Sequence, residues 1–240
     1  MGGKIDCYLD LASLYSYLAF LELQKNASLL ASHNVEVEFH PVLLGAINAG
    51  SGNRPPWTLP AKAKYGVYDA RRSIARHPGL QIKFPKDLMQ AGKTVIPQRC
   101  LHYIKKKYPT EVFLRTFHYL FHVFWSDINL TTAESVTHAL SDIPRNFPAE
   151  LGAQRLFTAE QVQEIMRAAG SEELKNLLKE TTQRALDKGA FGAPWLWVTN
   201  GRGKGEPFFG SDRFHFVYRF LELPYHDVTL LPAGGQKAKL

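Results

Sequence analysis

Cysteine is scarce in this chain, with only Cys7 and Cys100 among 240 residues. Domains stapled by disulfides carry several cysteines at close spacing, so a disulfide framework is not expected here. Both cysteines stand among apolar residues, where a free cysteine behaves as a small buried hydrophobe. We therefore expect two unpaired, buried thiols in a reducing compartment.

Long apolar runs are also missing. No segment approaches the roughly 18 apolar residues that a membrane span needs, and the start, Met1 to Asp6, has no apolar region typical of a signal peptide. Hydrophobic residues nevertheless make up 45% of the chain. These features predict a soluble globular protein that buries its core as one large domain or two small ones, with no membrane partner.

The formal net charge of +7 comes mostly from basic residues that are scattered along the chain. Lys105, Lys106 and Lys107 form the one dense basic cluster, at the end of a predicted helix where cations favour the helix dipole. No nucleic-acid-binding motif accompanies the scattered basic residues. We therefore expect no nucleic-acid partner, and the positive charge instead suits small anionic ligands.

The order of predicted elements is strand, helix, strand, a long helical block, then two strands and a helix. The predicted ranges are a strand over 4–10, a helix over 13–31, a strand over 35–40, a Gly/Asn/Pro-rich loop over 45–60, helices within 61–188, strands over 195–199 and 206–209, and a last helix to about 221. This βαβ … ββα order predicts an α/β protein with a thioredoxin-like sheet that is interrupted by an all-helical insertion.

A pair of serines, Ser13 and Ser16, stands where the first strand gives way to the first helix. Hydroxyls cannot cycle a disulfide, but the first turn of a helix offers unpaired N–H groups and a positive dipole end to an anion. A bound thiolate is such an anion. The alternative is that either serine is only a helix N-cap.

Several short segments together resemble one family. They are Asp10-x-x-Ser13-x-Tyr15-Ser16, Gly52-Asn53-Arg54-Pro55-Pro56, Pro60-x-Lys62, Phe84-Pro85-Lys86-Asp87, Gly189 to Pro194, and Phe209-Gly210-Ser211-Asp212-Arg213. In this order and spacing the chain, from Tyr8 to about Leu223, is similar to kappa-class glutathione transferases and the related 2-hydroxychromene-2-carboxylate isomerases, a branch of the DsbA-like thioredoxin superfamily. The resemblance implies a discontinuous thioredoxin-like domain (1–60 and 189–226), a DsbA-like helical insertion domain (61–188) and a flexible tail (227–240).

The resemblance also implies roles for individual residues. Ser13 would donate its hydroxyl to the glutathione sulfur and favour the thiolate. Ala193 and Pro194 would form a cis X–Pro bond that leaves the backbone of Ala193 free to pair with the extended glutathione peptide. The alternative for Pro194 is a trans proline that merely starts the following strand.

Four further residues would hold the ends of glutathione. By the resemblance, Ser211 and Asp212 would meet the carboxylate and the ammonium of the γ-glutamyl end. Asn53 and Lys62 would lie on the loop and helix that cover the cofactor, with Lys62 suited to the glycyl carboxylate. The alternatives are that Ser211 and Asp212 only cap the last helix and that Lys62 is only solvated.

Two residues depart from the family pattern, and two others have metal-ligand spacing. Leu14 replaces a common proline, which should loosen the first helical turn, and the bulky Trp195 follows Pro194 beside the expected pocket. His118 and His122 are four residues apart on a helix, but their aromatic neighbours favour a place in the core. No metal site is therefore predicted.

Three functions remain open at this point. The first is a kappa-like glutathione transferase that attacks an electrophilic apolar or aromatic acceptor. The second is a glutathione-dependent isomerase of the 2-hydroxychromene-2-carboxylate type, and the third is a non-catalytic thiol-binding module. The resemblance further implies a homodimer, built partly through the helical block and the loop after Leu44.

The last three residues, Ala238-Lys239-Leu240, are a close variant of the Ser-Lys-Leu peroxisomal address. They follow a Gly- and Pro-containing stretch, 231–237, that is typical of an exposed tail. The sequence thus predicts a peroxisomal protein, with the cytoplasm or the mitochondrion as alternatives.

Overall fold

The structure is a computed structural model that describes residues 2–149, 152 and 154–228. The strands are β1 (Gly3–Leu9), β2 (Val35–Pro41), β3 (Trp195–Asn200) and β4 (Gly205–Phe209). The helices are α1 (Leu14–Lys25), α2 (Ala27–Ser32), α3 (Leu44–Ser51), α4 (Pro60–Ala75), α5 (Leu88–Ala91), α6 (Val95–Lys107), α7 (Thr110–Phe124), α8 (Ala133–Asp142), α9 (Ala159–Ala169), α10 (Glu172–Asp187) and α11 (Phe214–Phe220), with a short 3₁₀ turn at Pro56–Thr58.

The four strands form one sheet in the order β2-β1-β3-β4. β1 pairs parallel with β2 and antiparallel with β3, and β3 and β4 form an antiparallel hairpin. Parallel strands require a crossover connection, which α1 and α2 supply. The predicted α/β fold with a thioredoxin-like βαβ … ββα order is confirmed.

The two faces of the sheet bury different residues. Ile5, Cys7 and Leu9 of β1 point to the main core, as alternation along a strand requires. Tyr8 points to the opposite face, where a smaller cluster includes Trp195 and is covered by residues of α3 and α10. Both cysteines are free and buried, as predicted, and burial raises the pKa of the Cys100 thiol to about 12.

The aromatic stripe of α7 is buried between α1 and the other helices. Phe117 and Phe121 are fully buried, their rings stack 4.9 Å apart, and Phe121 stacks on Tyr17 of α1 at 5.0 Å. His118 packs against Phe147, and burial lowers its pKa to about 4. These contacts fix α1, and with it the start of that helix, against the helical block.

The first predicted helix is in fact two helices. Asn26 separates α1 from α2, with its backbone outside the helical region and its side-chain amide donating to the backbone oxygen and the carboxylate of Glu22 at 2.9 Å. Asparagine competes in this way with the helical backbone. The prediction of one continuous helix over 13–31 is therefore wrong at this position.

The stretch predicted as a loop over 45–60 begins with a helix. α3 spans Leu44–Ser51 and ends at Gly52 in the left-handed conformation, with φ of 74°. Gly50 packs so closely on Leu186 of α10 that a Cβ would lie 2.7 Å from that side chain. Close packing on α10 thus explains a helix where the local sequence favours a loop.

Helix ends within the insertion follow the sequence closely. Thr158 forms the predicted capping box with Gln161 at the start of α9, and Gly170 is the C-cap of the same helix. Thr132 and Ser171 cap α8 and α10.

The last helix differs, because Arg213 occupies the N-cap position of α11 and no side chain in the described residues caps it. The prediction that Ser211 or Asp212 caps this helix is wrong.

None of the helices in the described part of the chain is long and apolar enough to cross a membrane. The described helices from α4 to α10 lie in sequence between β2 and β3, and all but the first residue of α4, Pro60, fall within the range assigned to the insertion. The division into two folding domains stays a prediction, as does the flexible tail, of which residues 229–240 lie outside the described residues.

Candidate active site

Ser13 lies at the junction of β1 and α1. Its Oγ accepts a hydrogen bond from the backbone N–H of Ser16 at 3.1 Å, so Ser13 is the N-cap of α1. The same hydroxyl donates to the carbonyl oxygen of Ala193 at 2.7 Å. The first turn of α1 itself carries no acidic side chain, so no carboxylate of that turn competes with an anionic ligand for the positive end of the helix dipole. Ser13 is thus both a cap and a contact to the loop before β3.

The loop before β3 carries the next two predicted residues. The Ala193–Pro194 bond is cis, as predicted, and both residues are buried. The exposed side chain of Asn53 donates from Nδ2 to the carbonyl oxygen of Phe191 at 2.6 Å. The structure therefore brings Ser13, Ala193, Pro194 and Asn53 together around one loop.

Ser211 and Asp212 lie between β4 and α11. They line a narrow cleft with residues of α1 and with residues at the end of α4, including Glu22 and Arg76. The Asp212 carboxylate pairs with Arg213 and is near enough to Tyr15 to act on that phenol. Asp212 thus lies near Tyr15, in the first turn of α1.

Lys62 stands apart from the other predicted residues. It is exposed in the first turns of α4 and makes no hydrogen bond or ion pair with any residue that the structure describes. Its helix is nevertheless tied to the site, because the Tyr15 hydroxyl donates to the Asp69 carboxylate of α4. Burial, together with this hydrogen bond, raises the pKa of Tyr15. The structure does not bring Lys62 itself into contact with the cluster around Ser13.

Two carboxylates of the site were missed as functional residues. Asp69 has no sequence signal, since it is one polar residue of a helix. Asp10 belongs to the segment that carries the resemblance, and it is almost completely buried. Its carboxylate accepts four hydrogen bonds, from Ala12, Leu44, Thr94 and Gln98. An aspartate directly after a buried strand was the available signal.

Comparison with known proteins gives the site its context. The family model for the DsbA-like thioredoxin domain matches residues 4–222. Glutathione S-transferase kappa 1 of Caenorhabditis elegans is 31% identical over 240 residues, covering 99% of this chain and 98% of the relative. The chain belongs to the kappa-class glutathione transferases of the DsbA-like thioredoxin family. The human glutathione S-transferase kappa 1 is 29% identical and covers 90% of each chain.

The fold comparison agrees with this family. The structure of a 2-hydroxychromene-2-carboxylate isomerase superposes with a TM-score of 0.68, covers 91% of this chain and 94% of the isomerase chain, and is 19% identical. At this identity the superposition speaks for the fold alone. The predicted family and fold class are confirmed.

The two departures from the family pattern have different structural outcomes. Leu14 begins α1 normally, because Ser13 supplies the cap. Trp195 turns to the face of the sheet opposite α1 and packs edge-on against Phe191, at 5.3 Å between ring centroids. Its indole N–H is buried and has no hydrogen-bond partner among the described residues. Trp195 therefore packs against the cis-proline loop on the side of the sheet that faces away from α1.

A polar cluster lies along β1 and β2, on the face of the sheet opposite α1. Asp6, Glu38 and His40 bring potential ligand atoms within 4.8 Å of one another. Lys4 and Lys105 already pair with Glu38 at 2.5 and 2.7 Å, and His40 contacts Asp6 at 2.8 Å. These ion pairs explain the cluster without a metal ion.

The cluster predicts a loss of stability in acid. Burial would raise the pKa of Glu38, but hydrogen bonds from Lys105 and Lys4 lower it to about 2. A carboxylate with a lowered folded-state pKa stabilises the fold above its ordinary pKa and loses that contribution as the pH falls through the folded value. Replacing Glu38→Gln should therefore lower the melting temperature at neutral pH, and the difference from the unaltered protein should shrink from pH 4.5 to pH 2.

Thermal unfolding followed by circular dichroism between pH 7 and pH 2 measures this effect. Glu172→Gln is the matched control, because Glu172 forms only an exposed pair with Lys175, and such pairs contribute little. A pH-independent difference between Glu38→Gln and the unaltered protein would contradict the role assigned to the cluster.

Proposed function

We propose that this chain is a glutathione transferase of the kappa kind, in which Ser13 stabilises the glutathione thiolate for attack on an electrophilic apolar or aromatic acceptor. The observation that carries the proposal is the position of the Ser13 hydroxyl, at the N-terminus of α1 and 2.7 Å from the carbonyl of Ala193. Curated kappa-class relatives support the same activity.

The hydrogen bonds of Ser13 suggest how the site would switch on. Its Oγ already accepts from the Ser16 N–H, so its own proton is the group free to be redirected. When a backbone N–H of glutathione donates to the Ala193 carbonyl, that carbonyl gains a second donor and the Ser13 hydroxyl can turn to the sulfur. A charge-assisted bond and the helix dipole then lower the thiol pKa.

Conjugation and isomerisation would both start from the glutathione thiolate. The thiol proton leaves to solvent, and the thiolate forms a carbon–sulfur bond with the acceptor. In conjugation the acceptor either loses a leaving group with the bonding electrons or takes up a proton. In isomerisation the thiolate adds to a conjugated double bond, the adduct rotates, and the thiolate leaves unchanged.

The remaining predicted residues would hold the tripeptide. Asn53, on the loop after α3, would reach glutathione, and Ser211 and Asp212 would offer partners for the γ-glutamyl end beside α1. Lys62 on α4 would reach the glycyl carboxylate through its long side chain.

Removing the charge of exposed Lys62 in Lys62→Met should weaken glutathione binding more than the same change at exposed Lys86.

Product analysis distinguishes the three functions. Glutathione is titrated with and without a panel of aromatic electrophiles, and products are identified by mass spectrometry. A mass increase equal to the acceptor fragment supports conjugation and a role in detoxification. An isomer of unchanged mass, with glutathione regenerated, favours the isomerase, and binding without turnover favours the thiol-binding module. Absence of glutathione binding would overturn the proposal.

We also propose a homodimer. The phenylalanines of α7, in the helical block, are buried within the subunit and offer no exposed interface. A different set of apolar side chains is exposed in and around the 3₁₀ turn and α4, namely Trp57, Leu59, Tyr65 and Tyr68. Exposed apolar patches commonly mark protein interfaces. Trp57 and Leu59 belong to the loop after Leu44, and Tyr65 and Tyr68 belong to the helical block, the two segments through which the dimer was predicted.

Sedimentation tests the dimer directly. At micromolar concentration the protein should sediment as a species of twice 27.1 kDa, and Tyr65→Glu combined with Tyr68→Glu should shift it to the monomer. Phe216→Glu changes an exposed aromatic of α11 and serves as the control. A single species of 27.1 kDa for the unaltered protein contradicts the dimer.

A peroxisomal location is proposed from Ala238-Lys239-Leu240, which lies outside the described residues. A fluorescent protein fused to the N-terminus should give a peroxisomal pattern that disappears when these three residues are deleted. A diffuse signal from the intact fusion favours the cytoplasm, and a mitochondrial pattern favours the other alternative. Either result overturns the peroxisomal proposal.

A further inference from the structure

Asp10 occupies the point where three helices begin. It follows the last residue of β1, and its backbone carbonyl accepts a hydrogen bond from the N–H of Ser13 at 3.1 Å. The side chain is 1% exposed. A carboxyl group so deeply buried directly beneath the proposed nucleophile site is costly to keep, because its charge is removed from water.

The hydrogen bonds of Asp10 join separate parts of the molecule. Oδ1 accepts from the N–H of Ala12 at 3.0 Å, in the turn that leads to Ser13. Oδ2 accepts from the N–H of Leu44, the first residue of α3, at 2.6 Å. One carboxylate therefore connects the turn of Ser13 to the helix that leads, two residues beyond its end, to Asn53.

The third connection is to the start of α6. Thr94 Oγ1 donates to Oδ1 at 2.7 Å and Gln98 Nε2 at 3.0 Å. Thr94 holds the N-cap position of α6, yet its hydroxyl makes no capping bond to that helix and serves Asp10 instead. Gln98 is also fully buried, and its Oε1 has no partner among the described residues. Both polar side chains thus donate their hydrogen bonds to Asp10 and not to the backbone of α6.

The donor set matches an ionised carboxylate. The two backbone N–H groups and the Nε2 of Gln98 donate to the Asp10 oxygens, so in this arrangement a proton on Asp10 would face a donor at three of its four contacts. The positive ends of α1, α3 and α6 add to this stabilisation. Burial raises the pKa of the Asp10 carboxyl, and the four hydrogen bonds act in the opposite direction.

We infer that Asp10 is a positioning residue of the glutathione site, which holds the Ser13 turn against the first residues of α3 and α6. The inference rests on the proposed function. Asp10 does not touch the substrate; it acts through the backbone of the turn and through α3. Its loss should therefore change the alignment of the Ser13 hydroxyl with the bound sulfur and the placement of the Asn53 loop.

Asp10→Asn and the pair Thr94→Val and Thr94→Ser test this role. In Asp10→Asn the new amide N–H₂ faces at least one of the donors, so at least one hydrogen bond to this position is lost. The Ser13 hydroxyl should then be less well aligned with the bound sulfur. The thiol pKa of bound glutathione, read from the ultraviolet thiolate absorbance, should therefore rise. The KM for glutathione should increase roughly tenfold, as expected for one lost hydrogen bond to a charged group. Thr94→Val should show the same changes more weakly, and Thr94→Ser should restore the unaltered values.

Thr158→Ala is the matched control, since it removes a helix cap from α9 without touching the site. A lower melting temperature with unchanged thiol pKa and KM in both Asp10→Asn and Thr94→Val would make Asp10 merely structural and overturn the inference. If Asp10→Asn does not fold, equal thiol pKa and KM in Thr94→Val and Thr94→Ser overturn it. Absence of a thiolate signal in the unaltered protein would overturn the proposed function, and this inference with it.

Discussion

Replacing Ser13→Ala should lower turnover roughly ten- to a hundredfold while glutathione affinity changes little. The lost hydrogen bond acts on the thiolate, and a hydrogen bond to a charged group is worth about 1.5–3 kcal/mol. In the proposed function, other residues would make the remaining contacts with the tripeptide. The pKa of the bound thiol should rise, which the ultraviolet thiolate absorbance measures as a function of pH.

Ser13 is also the N-cap of α1, so a stability effect has to be separated from this one. Loss of an N-cap costs about 1 kcal/mol. Ser171→Ala removes an equivalent cap, since Ser171 accepts from the N–H of Leu174 at 3.3 Å at the start of α10. Ser13→Ala also loses the hydrogen bond to the Ala193 carbonyl and should lose somewhat more stability than Ser171→Ala, but only Ser13→Ala should lose activity. Equal activities in both variants would assign Ser13 to capping alone and leave Ser16 or Tyr15 as the thiolate partner.

Replacing Phe121→Ala should destabilise the protein by about 3–5 kcal/mol, as deletion of a large buried aromatic does. Phe121 is fully buried and stacks on both Tyr17 and Phe117. For a chain of this size each kcal/mol shifts the melting temperature by about 2–4 °C, so the loss should reach roughly 10 °C. Differential scanning calorimetry gives the shift directly.

Phe216→Ala is the control, because Phe216 is 48% exposed on α11. Its melting temperature should stay close to that of the unaltered protein. A small shift for Phe121→Ala would mean that the α7 aromatic stripe contributes little to the core and does not anchor α1. Because α1 carries Ser13 at its start, the folded fraction of Phe121→Ala should also show reduced turnover with glutathione.

Local patterns in the sequence were sufficient for most individual elements. The alternation over 35–40 predicted β2, and the capping box of Thr158 predicted the start of α9, because both signals act between residues close in the chain. The free, buried cysteines followed from their apolar surroundings. The family, with its α/β fold, followed from short segments in a fixed order, which no single segment could have shown.

The tertiary structure decided what depends on contacts between distant residues. Gly- and Asn-rich residues 44–51 form α3 because Asp10 accepts from its first N–H and α10 packs on Gly50. Ser13 meets Ala193 across 180 residues of chain, and Tyr15 meets Asp69. Propensity and spacing describe only neighbours in sequence, whereas a buried carboxylate with four donors exists only after β1, α3 and α6 have packed together. The sequence by itself thus determined most of the elements and the family, and packing determined the remaining elements and how the site is held.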